Sequence, residues 1–142
     1  MTGRPRRILT VCLGNYCRSP LAARILADRA GDAAEVRSAG LVDKWVGHTA
    51  HPDMIAAAAV RGYDLLDHAP APVDRAALDW ADLVLAMDHS VLEKLLLIAD
   101  DNAHKIRLYL DGQDVPDPIG QPMAAFTRCA QIIETGAARH LR

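Results

Sequence analysis

Short apolar runs alternate along this chain with longer stretches in which apolar residues recur every three or four positions. A short run is typical of a buried strand, and the three-to-four spacing is typical of a helix that packs on one face. The pattern predicts four strands, at residues 7–11, 35–38, 83–87 and 106–109. It also predicts helices at residues 20–30, 53–61, 73–80 and 90–99, and a terminal helix from about residue 123.

Strands and helices that alternate in this order are typical of parallel sheets, because each parallel connection needs a crossover that is usually a helix. Right-handed crossovers then place helices on both faces of the sheet. We predict an α/β fold: a single three-layer domain over residues 1–142, with a four-stranded parallel sheet and helices on both faces. The length is typical of one domain, and 51% hydrophobic residues can form a substantial core.

The turn after the first strand carries the most informative residues. It reads Cys-Leu-Gly-Asn-Tyr-Cys-Arg-Ser-Pro over residues 12–20. Ser19 is a favourable N-cap and Pro20 a favourable first helical residue, so we expect the helix to begin here. The free N–H groups at a helix N-terminus, together with the helix dipole, bind anions. The turn is therefore a predicted anion site.

A loop that bends back from Cys12 to Arg18 directs its successive N–H groups inward, around one tetrahedral anion. Gly14 and Asn15 readily adopt the positive φ angles that such a loop needs. The planar guanidinium of Arg18 can bind two phosphate oxygens at once. We predict a phosphate-binding loop after strand 1, formed by Leu13, Gly14, Asn15, Tyr16, Cys17, Arg18 and Ser19.

Cys12 lies at the base of this predicted loop. Helix N-termini and neighbouring cations lower the pKa of cysteine thiols to roughly 3.5–7.5, which leaves much of such a thiol ionised at neutral pH. A thiolate is a strong nucleophile and needs no histidine beside it. An inert buried thiol is the alternative for any single cysteine, but the spacing Cys-x5-Arg-Ser between a strand and a helix favours a nucleophile.

Residues 12–20 resemble the signature loop of the low-molecular-weight protein tyrosine phosphatases, and they match its pattern Cys-x-Gly-Asn-x-Cys-Arg-Ser-Pro at every fixed position. The similarity extends along nearly the whole chain. Further short motifs follow in the order and spacing of the family: Ser38-Ala39-Gly40, Val46-Gly47, Met87-Asp88 and Asp117-Pro118. The resemblance implies a phosphoric monoester hydrolase that uses no cofactor or metal ion and acts on tyrosine-phosphorylated proteins.

The family's reaction has two steps, and the resemblance assigns the catalytic roles to Cys12, Arg18 and Asp117. Cys12 attacks phosphorus while Asp117 protonates the departing oxygen, and the phosphocysteine is then hydrolysed as Asp117 takes a proton from water. Asp117 lies between Pro116 and Pro118. That stiff, extended setting suits a carboxyl group carried on a loop, although aspartate is also common in turns.

The resemblance also implies residues that support the loop. Ser19 matches the hydroxyl that hydrogen-bonds the thiolate. Asn15, Ser38 and His68 match a network that holds the loop in its strained shape, because buried polar groups specify a geometry when they satisfy one another.

Asp88 and Cys17 have two interpretations each. Asp88 either orients Arg18 through an ion pair or caps the helix that begins near residue 89. In the family, the cysteine at Cys17 can form a redox-regulating disulfide with the nucleophile Cys12, and the alternative is an inert buried thiol. Cys129 lies in the apolar stripe of the terminal helix, where core packing is the better explanation.

Three departures from the family pattern surround the expected substrate cleft. Tyr16 replaces the usual isoleucine, or the threonine of the arginine phosphatases, and its bulky ring argues against phosphoarginine. Ile119 replaces the aromatic residue that usually follows Asp-Pro, so one wall of the aryl cleft is missing. Trp45 is expected to supply another wall, and a tryptophan packed only on its own loop is the alternative. We expect activity to survive these changes, with an altered substrate preference.

Three other functions share parts of this pattern. Thioredoxin-coupled arsenate reductases need a later cysteine pair, which is absent between Cys17 and Cys129, whereas a reductase that uses an external thiol stays open. A non-catalytic phosphate-binding module would lack one catalytic residue, yet Cys12, Arg18 and Asp117 are all present. A zinc site is a poor match, because Cys-x4-Cys has no second pair nearby.

Composition indicates the compartment and the partners. Three cysteines, two of them in one loop, do not form a disulfide framework, so a reducing compartment is expected. The sequence has no apolar stretch of about 18 residues and no signal-peptide core after its N-terminal arginines, so we expect a cytoplasmic protein with no membrane partner. A net charge of -2 gives no case for nucleic acid. The oligomeric state stays open.

Overall fold

A computed structural model describes residues 3–141, so the ends of the predicted domain, residues 1, 2 and 142, lie outside the described part. Four strands form one sheet: β1 (Arg6–Cys12), β2 (Ala34–Gly40), β3 (Leu83–Ala86) and β4 (Ile106–Leu108). The connecting helices are α1 (Arg18–Ala30), α2 (Pro52–Val60), α3 (Arg75–Trp80), α4 (His89–Ile98) and α5 (Met123–Gly136). Short 3₁₀ turns follow α1, α4 and α5.

The sheet has the strand order β2-β1-β3-β4, and all three neighbouring pairs are parallel. Cys12 ends β1 and pairs with Gly40 at the end of β2. Because parallel strands share one carboxyl edge, the loops after β1, β3 and β4 emerge on the same side of the molecule. That edge carries the residues of the predicted site.

Alternate residues of β1 contribute to two separate apolar cores, as the period of two along a strand requires. Ile8 and Cys12 pack with one cluster, and Leu9 and Val11 pack with the other. Helices α1, α2 and α5 supply the first cluster, and α3 and α4 supply the second. The predicted α/β fold with a parallel sheet between two helical layers is confirmed.

The start of the first helix differs from the prediction. Helix α1 begins at Arg18, and its N-cap is Cys17, which makes no side-chain capping bond. Ser19 is not the N-cap, because its hydroxyl lies inside the loop, within hydrogen-bonding distance of Cys12 and Asn15. The helix therefore starts one residue earlier than Ser19 and two earlier than Pro20.

The third predicted helix, 73–80, begins two residues later than expected. Asp74 is its N-cap, and its side chain accepts a hydrogen bond of 2.7 Å from the Ala77 N–H, so α3 starts at Arg75.

No helix within residues 3–141 combines the length and the apolar character that a membrane crossing needs.

His140 is a buried histidine near the end of the chain, only 1% exposed. Its Nε2 lies 2.7 Å from the Tyr109 carbonyl oxygen, which can only accept, so Nε2 carries the hydrogen. Nδ1 is buried without a hydrogen-bond partner among the described residues. Burial lowers the pKa of His140 to about 4, outweighing the Tyr109 hydrogen bond, and nearby arginines lower it further. The native state therefore keeps this side chain neutral in mildly acidic solution.

This burial predicts a pH-dependent loss of stability. The unfolded chain binds a proton at its ordinary pKa of 6.5, before the folded chain does, so the free energy of unfolding should fall as the pH drops from 6.5 towards 4. The loss attributable to His140 is on the order of 3 kcal/mol, at about 1.36 kcal/mol per pKa unit. Urea unfolding at several pH values will measure it in wild type and in His140→Gln, which keeps a donor towards Tyr109 but does not titrate.

The exposed His104 offers a matched control, since His104→Gln removes a histidine that faces solvent. We expect His104→Gln to follow the wild-type pH profile and His140→Gln to show a shallower decline. If His140→Gln declines as steeply as wild type, burial of this imidazole does not limit acid stability.

Candidate active site

The loop between β1 and α1 curls around the carboxyl end of the sheet. Asn15 has a φ of 55°, the left-handed conformation that asparagine tolerates. Gly14, which was expected to share this conformation, does not have a positive φ. Its small size serves another purpose: a Cβ at residue 14 would lie 2.6 Å from Trp45 Cδ1. Gly14 therefore permits close contact with a neighbouring loop.

The Cys12 thiol lies at the base of this loop and is 3% exposed. Its Sγ is 3.0 Å from the Ser19 hydroxyl oxygen. That oxygen also accepts a hydrogen bond of 2.8 Å from Asn15 Nδ2, so its own hydrogen can be donated either to the Ala39 carbonyl, 3.3 Å away, or to the sulfur. When the sulfur is ionised it is the strongest acceptor available, and Ser19 then donates to it.

The Asn15 side chain connects the loop to its surroundings. Besides Ser19, Nδ2 donates to the Ser38 hydroxyl at 2.9 Å, and Oδ1 accepts from the Ala71 N–H at 2.9 Å. His68 Nε2 donates to the Asn15 carbonyl oxygen at 2.8 Å. Burial lowers the pKa of His68, although this hydrogen bond opposes the change. The side chains of Ser38 and His68 thus both form hydrogen bonds with Asn15 of the loop.

Arg18 is 3% exposed and is held by one side of its guanidinium. Nη1 donates to Asp88 Oδ2 at 2.8 Å and to the Val115 carbonyl at 2.8 Å. Burial alone would lower the pKa of Arg18, but the charges of Cys12, Asp88 and Asp117 raise it above its usual value. The side chain therefore stays charged, with its other nitrogens free of hydrogen bonds to the described residues.

Asp88 serves both of the roles that the sequence left open. Its Oδ2 forms the ion pair with Arg18, and its Oδ1 accepts a 2.8 Å hydrogen bond from the Val91 N–H as the N-cap of α4. One carboxylate thus links the beginning of a helix to the orientation of the guanidinium.

Asp117 reaches the same guanidinium from the loop that precedes α5. Its Oδ2 is 3.7 Å from Arg18 Nη2, and its side chain is 40% exposed. Its Oδ1 accepts a 3.1 Å hydrogen bond from the Ile119 N–H, which fixes the turn after Pro118. A buried thiol, a buried cation and an accessible carboxyl group therefore converge at the carboxyl edge of the sheet.

A cavity of about 170 Å³ opens above the thiol. The three residues expected to form substrate walls, Tyr16, Trp45 and Ile119, all line it, together with Cys12, Arg18 and Asp117. The Tyr16 and Trp45 rings are stacked, with centroids 4.0 Å apart and planes 7° apart. Trp45 is therefore packed against the loop of Cys12 as well as on its own segment.

A known protein family matches nearly the whole chain. The family model described as low molecular weight phosphotyrosine protein phosphatase matches residues 7–142. The chain belongs to this family. It is a phosphatase by descent and by fold, as the resemblance of residues 12–20 implied.

Three relatives show the extent of the similarity. The low molecular weight protein-tyrosine-phosphatase Wzb of Escherichia coli K12 is 34% identical over 133 residues, covering 92% of this chain and 89% of that protein. A protein-arginine-phosphatase of Geobacillus stearothermophilus is 30% identical over 137 residues, covering 92% and 90%. The solved structure of Vibrio vulnificus Wzb in complex with benzylphosphonate is 30% identical, with a TM-score of 0.91 over 96% of this chain and 97% of that one.

The other two cysteines of this phosphatase are free, buried thiols. Burial raises the pKa of Cys17, and the neighbouring Cys12 and Asp117 raise it further. Burial also raises the pKa of Cys129 to about 12, and its thiol donates to the Pro116 carbonyl at 3.5 Å. The pairing of Cys17 with Cys12 stays a prediction. Residues 3–141 contain no group of three or more His, Cys, Asp or Glu side chains suited to a metal ion.

Two main-chain groups and one glycine shape the site without having been predicted from the sequence. The Ala71 N–H and the Val115 carbonyl hold Asn15 and Arg18, and no residue type marks such positions. At Gly40, a Cβ would lie 2.7 Å from the Asn15 nitrogen, so β2 can approach the loop only with glycine there. The Ser38-Ala39-Gly40 motif was the available signal for that contact.

Proposed function

We propose that this phosphatase hydrolyses phosphotyrosine in proteins, and aryl phosphates generally, through a phosphocysteine intermediate. The observation that supports this most strongly is the convergence of Cys12, Arg18 and Asp117 on one cavity, with Asp117 Oδ2 3.7 Å from Arg18 Nη2. In this proposal Cys12 is the nucleophile, Arg18 and the N–H groups of residues 13–19 bind the phosphate, and Asp117 transfers the proton.

In the first step, the Cys12 thiolate forms a bond to phosphorus as the bond to the ester oxygen breaks. The departing oxygen takes its proton from Asp117, and the Asp117 side chain becomes a carboxylate. Arg18 and the loop N–H groups stabilise the charge on the phosphoryl oxygens as the transition state forms. Asp88 keeps the guanidinium in position through its 2.8 Å ion pair.

In the second step, a water molecule attacks phosphorus and the sulfur–phosphorus bond breaks. The Asp117 carboxylate takes a proton from this water, and the electron pair of the broken bond returns to Cys12 as a thiolate. Ser19, 3.0 Å from Cys12 Sγ, donates its hydrogen to the sulfur as negative charge develops there. Inorganic phosphate and the free enzyme result.

The substrate class rests on the walls of the cavity. Tyr16 and Trp45 present aromatic surface beside the phosphate position, which suits the ring of a phosphotyrosine. The relative from Geobacillus stearothermophilus is named a protein-arginine-phosphatase, but a bulky ring at Tyr16 narrows the entrance for a phosphoguanidine. Three free cysteine thiols are typical of a reducing compartment, so we propose a cytoplasmic location.

Phosphate release from matched peptides that carry phosphotyrosine, phosphoserine or phosphoarginine will test the proposal. We expect kcat/KM for phosphotyrosine to exceed the other two by at least about 100-fold, because only the aryl ester has a ring that can contact the aromatic wall, and phosphoserine also has a poorer leaving group. A preference for phosphoarginine would contradict the assigned substrate. Thiol-dependent reduction of arsenate without phosphotyrosine turnover would identify the reductase alternative instead.

A further inference from the structure

The Trp45 ring is held against two residues of the phosphate-binding loop. The Tyr16 ring stacks on it at a centroid distance of 4.0 Å and an angle of 7°. On Gly14, an added Cβ would lie 2.6 Å from Trp45 Cδ1 and 2.9 Å from Nε1. Trp45 therefore occupies the space of the missing Gly14 side chain, and the Tyr16 ring covers one of its faces.

Tyr16 is itself anchored to the interior of the protein. Its carbonyl oxygen accepts a 3.0 Å hydrogen bond from the His51 N–H, and its ring lies 5.0 Å from the His51 ring. The His51 ring lies 4.6 Å from that of Phe126, which is 1% exposed. A continuous series of ring contacts thus leads from the cavity to the core.

The segment that carries Trp45 is tied to the phosphate-binding loop by a 3.0 Å hydrogen bond from the Val42 N–H to the Leu13 carbonyl, three residues before Trp45, but the residues beside the ring are exposed. Its neighbour Val46 is 53% exposed, and Lys44 is also exposed. The ring contacts His48 at 5.4 Å and the Lys44 ammonium at 5.0 Å, but both of these residues are exposed on the same surface segment as Trp45. These two contacts do not fix the ring to the rest of the molecule, and an exposed cation–π contact is weak. The main chain places the segment, and the orientation of the Trp45 ring depends on its contacts with Tyr16 and Gly14.

We propose that Tyr16 is a positioning residue: it fixes the Trp45 ring as an aromatic wall of the cavity, and this wall sets the preference for aryl over alkyl phosphates. The inference rests on the proposed function of the site. An aromatic leaving group contacts an aromatic wall that is already ordered, so it gains contact energy without the cost of immobilising the wall on binding. A phosphate ion occupies only the loop and gains nothing from the wall.

Two probes separate the wall from the loop: benzylphosphonate, which carries a ring, and inorganic phosphate, which does not. We expect Tyr16→Ala to weaken benzylphosphonate binding about 5- to 10-fold and to change phosphate binding less than about 2-fold. KM for phenyl phosphate should rise by a similar factor, while kcat stays within about 2-fold. Tyr16→Phe retains the stacked ring and should restore wild-type values. Tyr63→Ala, which removes a half-buried tyrosine that does not line the cavity, is the matched control.

A spectroscopic measurement reports on the wall without activity. The chain has two tryptophans, so Trp80→Phe leaves Trp45 as the single emitter. In that background, Tyr16→Ala should shift Trp45 emission to longer wavelength, and Tyr16→Phe should not. In a Trp45→Ala background, Tyr16→Ala should have little further effect on benzylphosphonate affinity, because the two residues act as one unit.

Two results would overturn the positioning role. One is unchanged Trp45 emission and benzylphosphonate affinity in Tyr16→Ala. The other is an equal loss of affinity for benzylphosphonate and inorganic phosphate, which would mean that Tyr16 acts through the shape of the loop. Both binding and emission are measured without turnover. A failure of the proposed phosphotyrosine activity is therefore distinguishable from a failure of this inference.

Discussion

Cys12→Ser should abolish the hydrolysis of aryl phosphates, with kcat reduced by at least roughly four orders of magnitude. Serine places an oxygen where the sulfur stands, so the loop and Arg18 can still bind the substrate. The hydroxyl is a far weaker nucleophile than a thiolate, and no hydrogen bond among the described residues joins residue 12 to a basic side chain. Phosphate release from phenyl phosphate will measure the loss, and binding of inorganic phosphate will show that the site persists.

Cys129→Ser is the matched control for this substitution. Cys129 is also buried, and a serine there can donate to the Pro116 carbonyl as the thiol does. We expect it to retain activity within a few-fold. In wild type, an alkylating reagent should inactivate the enzyme by modifying Cys12, and vanadate or phosphate should slow this reaction by occupying the loop. Measurable turnover by Cys12→Ser near the wild-type rate would exclude the cysteine mechanism.

The fold was readable from the sequence because its elements follow apolar periodicity. The run 8–11 is apolar and short, and the structure places it at the centre of the sheet, where both faces are buried. Helix α4 shows an apolar face and ends close to where its pattern ends. Local rules sufficed wherever each residue's role was decided by its neighbours in the chain.

The beginning of α1 was misjudged because a tertiary contact overrides the local rule. Ser19 is a good capping residue, but its hydroxyl instead lies between Cys12 and Asn15. The structure therefore uses a favourable N-cap residue for the site and begins the helix at Arg18 without a side-chain cap. A site that gathers polar groups from distant segments is the place where local propensity is expected to fail.

The contacts of the site depend on residues that are far apart in the sequence. Arg18 bonds Asp88 and the Val115 carbonyl, and Asn15 bonds Ser38 and the Ala71 N–H. The sequence predicted the side-chain members through resemblance, since their types and spacing carry a signal. It gave no sign of the main-chain members, because any residue can supply a carbonyl or an N–H.

Asp117→Asn should lower kcat by about 10²- to 10⁴-fold for substrates whose leaving group needs a proton. Asparagine has nearly the same shape, so the loop, the Ile119 N–H bond and the approach to Arg18 should persist. What is lost is the proton that Asp117 transfers to the ester oxygen and later takes from water. The variant should therefore bind inorganic phosphate at least as well as wild type, because a negative charge near Arg18 has been removed.

The leaving group provides the decisive comparison for Asp117. Dinitrophenyl phosphate releases an anion that is stable without protonation, so its first step should slow far less in Asp117→Asn than that of phenyl phosphate. Asp114→Asn, three residues earlier in the same loop, is the control, since Asp114 accepts from the His89 N–H and ring and not from Arg18. It should leave both rates within a few-fold of wild type. Because Asp117 also acts in the second step, which both esters share, the comparison uses kcat/KM, which reports the first step. Equal losses of kcat/KM on both esters in Asp117→Asn would show that Asp117 shapes the site and does not protonate the leaving group.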